Sequence, residues 1–136
     1  MMKEPVKSYR DLKVWAKAMD LVVESYKIAA TLPKSEVFGL ANQIQRAAVS
    51  IPANIAERDG RDQLGDYLHH LSVANGSLAE LETHFMIAER SAYVERSQIE
   101  KALELAGQIS RMLSGLSKAL RGTESRLDTT LFEPST

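Results

Sequence analysis

The sequence predicts an all-α protein folded as an antiparallel up-down-up-down four-helix bundle, and three observations carry that prediction. Apolar residues recur at alternating steps of three and four through four separate segments. No stretch alternates apolar and polar residues as a half-buried strand would. The breaks are short and hold Pro33, the turn dipeptide Asp59-Gly60 and a polar run before Ser97. Helices of about 20 to 30 residues joined by short connections pack as antiparallel neighbours. At 136 residues the chain is one domain able to bury a single core. Its expected limits are 8–122 for the bundle and 123–136 for a flexible C-terminal tail.

The first helix is expected from about Asp11 to Leu32, where Pro33 stops it. Leu12, Trp15, Met19, Val22, Tyr26 and Ala29 lie on one face, and Trp15 reads as core. Val14, Leu21, Ile28 and Leu32 form a second apolar row on nearly the opposite face at 100° per residue. An ordinary surface helix needs one apolar stripe, and a four-helix chain has no central helix. The second row is therefore assigned to an oligomer interface, a contact between subunits.

The second helix is expected from Ser35 as N-cap, with Leu40, Ile44, Ala47, Ala48, Ile51 and Ile55 inward. That series keeps its phase through Pro52, which favours a kinked helix over a break. Pro52 removes the hydrogen bond to the Ala48 carbonyl, a loss of about 3 kcal/mol unless offset. The third helix is expected from Asp62 to Ser91, with Leu64, Tyr67, Leu71, Leu78, Leu81 and Phe85 inward and Asn75 and Glu82 inside the apolar arc. The fourth begins at a capping box, Ser97-Gln98-Ile99-Glu100, and ends at Gly122.

Composition narrows the function classes. With no cysteine, disulfides, thiolate metal sites and a cysteine nucleophile are excluded. No run of 18 apolar residues exists, and the start, MMKEPVKSYRDLK, has no apolar core of a signal segment, so a cytoplasmic location is expected. Net charge is −1, but it is unevenly placed. Residues 1–34 carry seven Lys/Arg against four acids, whereas 62–91 carry one Arg against five acids. Such asymmetry steers helix pairing within or between subunits and leaves room for a local basic surface.

On the second helix Gln43, Arg46, Ser50, Asn54, Glu57 and Arg61 fall within roughly an 80° sector, apart from the apolar row. Two readings stand. One is a solvated face or an interhelical polar network, drawing on Gln43, Ser50, Glu57 and, from the third helix, Glu82. In it Arg46 or Arg61 reaches Glu82 or Glu57 and fixes how the two helices align. The other is a strip facing RNA or a protein partner, with Arg46 and Arg61 on phosphates and Asn54 and Gln43 as neutral partners. Ser50 is expected to bond back to the preceding turn and ease the bend before Pro52.

Enzyme chemistry finds little footing. Di-iron bundles need two Glu-x-x-His pairs on facing helices. Here the nearest match is Asp66-x-x-His69, and all three histidines, His69, His70 and His84, lie on the third helix. Phosphate-loop and nucleophile-elbow motifs are absent. The expectation is no enzyme, no cofactor and no metal.

The runs DLKVWAKAMDLV, LPKSEVFGLANQIQRAAVSIPANIAE and GSLAELET, in this order over about residues 8–120, resemble the bacterial four-helix bundle proteins encoded within intervening sequences of 23S ribosomal RNA genes. The resemblance implies a bundle that in some relatives assembles as a homopentamer. It extends, more distantly, to the accessory bundle proteins of diversity-generating retroelements, where a basic surface is associated with RNA and polymerase binding. This chain departs from the family pattern at Arg58, where a small residue is usual, and at Asn75, where a basic residue is common.

The function expected is thus a non-enzymatic, homo-oligomeric binding or assembly module, with structured RNA or an RNA-associated protein as partner. The alternative is a purely structural protein-interaction bundle. Candidate partner-binding residues are Lys13, Lys17, Arg46, Asn54, Arg58 and Arg61, and phosphate contacts of this kind weaken as salt rises.

Overall fold

The computed structural model describes residues 8–57 and 63–132. A 3₁₀ turn, Tyr9–Asp11, leads into α1, Lys13–Ala30; a second, Lys34–Glu36, precedes α2, Leu40–Ile55; then come α3, Leu64–Arg90, and α4, Arg96–Phe132. Each helix packs on its neighbours in sequence, and α4 closes on α1. The architecture is the all-α four-helix bundle that the periodicity predicts.

The helix starts depart from the sequence reading, and each departure has a local cause. α2 begins at Leu40, not Ser35, because the Glu36 carboxylate accepts the Leu40 N–H at 3.2 Å and caps the helix. Gly39 makes that cap feasible, since a Cβ there would stand 3.1 Å from Glu36 Oε2. At α4 the box sits two residues earlier than expected. Gln98 Oε1 accepts the Glu95 N–H at 2.8 Å, while the Gln98 N–H returns to the Glu95 carbonyl at 2.9 Å.

Helix ends follow the same logic. α3 closes at Ser91–Ala92, where Ala92 takes φ 62° and the Tyr93 N–H reaches the Ala88 carbonyl at 3.0 Å. α4 passes through Gly122 to Phe132, and no described glycine adopts positive φ. A glycine that stays right-handed weakens a helix without ending it. α2 continues through Pro52 to Ile55, with Ile51, Pro52 and Ile55 all buried.

The core of α1 is the row that reads as sparse. Val14, Ala18, Leu21, Ser25, Ile28 and Leu32, at steps of four and three, are all buried. They meet Ile44, Ile51, Leu78, Leu81, Phe85, Ile99 and Ile109 in one core, each large side chain contributing about 1.5–3 kcal/mol on burial. The assignment of Val14, Leu21, Ile28 and Leu32 to an oligomer interface is therefore corrected: a single chain buries them. Small Ala18 and Ser25 complete this stripe and admit close helix approach. Trp15 stands only half-buried at the core's edge, its ring edge-on to Tyr9 at 5.3 Å. Met19 and Tyr26, on the row expected inside, are 41% and 45% exposed.

Candidate functional site

The polar row of α2 turns toward α3. Ser50 Oγ and Ser77 Oγ lie 2.9 Å apart. Asn54 Nδ2 donates to the Ser50 carbonyl at 2.8 Å and to Ser50 Oγ at 3.1 Å. Because a carbonyl only accepts, these bonds fix the amide with Oδ1 outward, where it meets His70 Nδ1 at 2.8 Å. Oδ1 also only accepts, so His70 carries its hydrogen on Nδ1. The result is a chain of four side chains, Ser77, Ser50, Asn54 and His70, that starts and ends on α3.

Local structure explains the placement. Ser50 and Asn54 are one turn apart on α2, and His70 and Ser77 are two turns apart on α3, so antiparallel packing brings the pairs together. Ser77 is buried, which makes its hydroxyl dependent on Ser50. The expectation that Ser50 bonds to its own preceding turn is corrected, since its hydroxyl serves the neighbouring helix. Asn54, expected at a partner-binding face, belongs to this internal network.

Gln43 and Glu82, two other members of the expected network, do not join it among the described residues. Gln43 and Arg46 are exposed on the wall of a cleft of about 280 Å³ between α2 and α3, facing Glu80 across it. Glu82 lies seven residues from Asn75, whose Oδ1 accepts from Ser110 of α4 at 3.2 Å, so Glu82 shares the α4-facing side of α3. Arg46 on the α2 side and Glu82 on the α4 side form no ion pair among the described residues, so that one of the expected links is corrected; the links through Arg61 lie outside the described residues. Glu57 is half-buried at the end of α2. Arg58 and Arg61, with the Asp59-Gly60 turn, lie outside the described residues.

Lys13 and Lys17 occupy a different side. Lys17 Nζ donates to Gln108 Oε1 of α4 at 3.0 Å, while Arg46 lines the grooves on both flanks of α2. The lysines and Arg46 therefore do not share one surface. His70 and Ser77 escape a reading of single helices. The signal that could have found them is a polar pair on α3 set opposite Ser50 and Asn54 by antiparallel register.

Elsewhere ion pairs are local. Glu24 Oε1 receives Lys101 Nζ at 3.2 Å and Lys27 Nζ at 3.5 Å. The Lys101 hydrogen bond holds the Glu24 carboxyl below its ordinary range, against an opposing effect of burial. His84 is buried, with Nε2 3.4 Å from Glu80 Oε1. Among the described residues, no group of three or more His, Asp or Glu could hold a metal ion, and no helix is long and apolar enough to cross a membrane.

Comparison with known proteins adds two likenesses. Residues 10–115 match the family described as 23S rRNA-intervening sequence protein. The chain is also similar to a crystal structure of a protein of unknown function from the S23 ribosomal protein family of Bacteroides thetaiotaomicron. The identity is 25% and the TM-score 0.71, over 77% of this chain and 98% of that one. No curated protein matches.

Proposed function

The chain belongs to the 23S rRNA-intervening sequence protein family, and from that premise we propose that it is a non-enzymatic module that self-associates and docks on structured RNA. The observation that carries the reading is an apolar surface that the single chain leaves uncovered. Met19, Val23 and Tyr26 of α1 and Val49 of α2 are each more than 40% exposed. A groove of about 440 Å³ between the helices, lined by Tyr26, Gln45, Arg46 and Val49, runs beside them. Phe38, 94% exposed, stands at the end of the same helix pair. Exposed apolar side chains gathered in this way on the outer side of α1 and along the α1–α2 groove support an interaction site.

A second copy is the occupant that charge favours. Arg46 borders the groove without an ion pair among the described residues, whereas α3 carries Asp66, Glu80, Glu82 and Glu89 against Arg90. Two different surfaces of opposite sign on one chain suit a head-to-tail contact, which closes into a ring when the rotation permits. A homopentamer is the ring that the family resemblance implies. The RNA half of the proposal draws on the family's description, and a cytoplasmic location is proposed with it.

Light scattering coupled to size exclusion tests the assembly. The full chain elutes as an oligomer, and Met19→Glu with Tyr26→Glu elutes as a folded monomer, because these positions face water in the single chain. A wild-type chain that is strictly monomeric at micromolar concentration overturns the assembly reading.

A further inference from the structure

The side of the bundle formed by α1 and α4 is divided by charge along its length. Toward the α1–α2 connection its charges pair, with Glu24 held by Lys101 and Lys27. Toward the opposite end they do not. From residue 105 to 122, α4 carries Arg111, Lys118 and Arg121 and no acid. Lys17 lies alongside through its bond to Gln108. The two cross-helix pairs, Lys17 with Gln108 and Glu24 with Lys101, step seven residues in opposite directions. One turn further, the same register brings Lys13 level with Met112, next to Arg111. Lys13, Arg111, Lys118 and Arg121 are exposed, and among the described residues none has an ion pair or hydrogen bond.

The other flank of α4 supplies neutral donors. Arg121 borders a groove of about 170 Å³ between α3 and α4, with Ser72, Asn75, Ser114 and Ser117 on its walls and no carboxylate. The same stretch of α4 holds Gly115 and Gly122, where an added Cβ would meet nothing within 4 Å. Packing among the described residues gives no reason for them, although each costs about 1 kcal/mol against Ala in a helix. Their effect is a low surface between the cationic side chains. Glu104, one turn before Gln108, marks the upper limit of the strip.

We infer that this strip and its adjoining groove form the contact surface for an RNA phosphate backbone. Arg111, Lys118, Arg121, Lys13 and Lys17 meet phosphate oxygens, and Ser72, Ser114 and Ser117 add hydrogen bonds to phosphate and sugar oxygens. Contacts of this type position a nucleic acid without reading its sequence. The inference rests on the RNA reading proposed above; of the expected partner-binding residues it keeps Lys13 and Lys17 and replaces Arg46 and Asn54 of α2 with residues of α4.

Fluorescence anisotropy of a fluorescein-labelled RNA stem-loop against the full chain tests it, because backbone binding needs no particular sequence. The triple variant Arg111→Gln, Lys118→Gln, Arg121→Gln is expected to bind at least about tenfold more weakly, with a log-affinity against log-salt slope shallower by about two to three. Arg46→Gln, a change in the groove of the proposed self-association, is expected to leave the affinity per subunit and its salt slope unchanged when compared at the same assembly state. Restoring charge with Arg111→Lys and Arg121→Lys keeps the slope, which a merely structural role would not require. Elution and melting like wild type confirm that the triple variant is folded and assembled. Wild-type affinity in the triple variant, with a loss in Arg46→Gln, overturns the α4 surface and leaves the RNA reading standing. No stem-loop binding by the wild-type chain at low salt, or binding only to anionic lipid vesicles, overturns both.

Discussion

The Ser50–Ser77 contact gives the sharpest test of how α2 and α3 are aligned. Ser50→Ala removes the partner, 2.9 Å away, of the hydroxyl of Ser77, a residue only 8% exposed. A buried polar group left without a partner costs about 1–3 kcal/mol, so a loss of about 2 kcal/mol is expected. Asn54 limits the damage, because its Nδ2 keeps the Ser50 carbonyl at 2.8 Å. Ser77→Ala costs less, about 1 kcal/mol, since Ser50 is half-buried and still accepts from Asn54. The double variant leaves no orphan, and it should lose about 2 kcal/mol in place of the additive 3. In melting temperature each kcal/mol corresponds to about 4 °C for a chain of this size. Urea titration followed by far-UV circular dichroism measures the cycle, at one fixed protein concentration because the proposed self-association would make apparent stability concentration-dependent. Equal single losses that add to the double loss would refute the coupling and leave the two hydroxyls as independent surface groups.

Two further perturbations follow from single contacts. Ala92 pays a steric penalty of about 1–2 kcal/mol at φ 62°, so Ala92→Gly is expected to raise the denaturation midpoint by about 1 kcal/mol of stability; an unchanged or lower midpoint would show that the turn is not strained. Glu24 titrates below its ordinary value of 4.5 in the folded chain, so its contribution is present above that value and is lost as pH falls through the lowered folded one. Lys101 is largely exposed, which limits the effect to about 0.5 kcal/mol. The stability difference between wild type and Glu24→Gln should therefore be steady near neutral pH and close toward strong acid, and a difference that widens on acidification contradicts the assignment.

What the sequence made legible was the periodicity, and what it concealed was the choice between equivalent periodicities. Ile44, Ile51 and Ile55 keep phase through Pro52, so the continuity of α2 is legible from the sequence. On α1 two heptad rows compete, and the bulkier one, with Trp15, Met19 and Tyr26, looks like the core. The buried row is thinner because Ala18 and Ser25 stand in it, and small residues are what a tight helix crossing needs. Helix starts shift by a few residues from the periodic signal because Glu36 and Gln98 cap as side chains from positions that carry no apolar signal. The polar row of α2 was visible as a line of side chains. Its partner row on α3 was not, since register between helices is set by the whole packed interface and not by either segment alone.

That register also decides which polar groups remain available to a partner. Ser50 and Asn54 are joined to Ser77 and His70, and engaging a ligand there would first break bonds that hold α2 to α3. A hydroxyl or amide already satisfied gains little by exchanging one partner for another. Arg111, Lys118 and Arg121 face the opposite situation: they are exposed and have no counter-charge among the described residues, so a phosphate adds an interaction without removing one. The α2 row holds the bundle together, and the α4 strip is the surface with interactions still to make. Arg46 separates the two ideas experimentally, because it belongs to the α2 row by sequence yet lines the groove where a second copy is proposed to sit. Its neutralisation should weaken self-association while leaving RNA affinity per subunit intact, and the reverse pattern would return the RNA surface to α2.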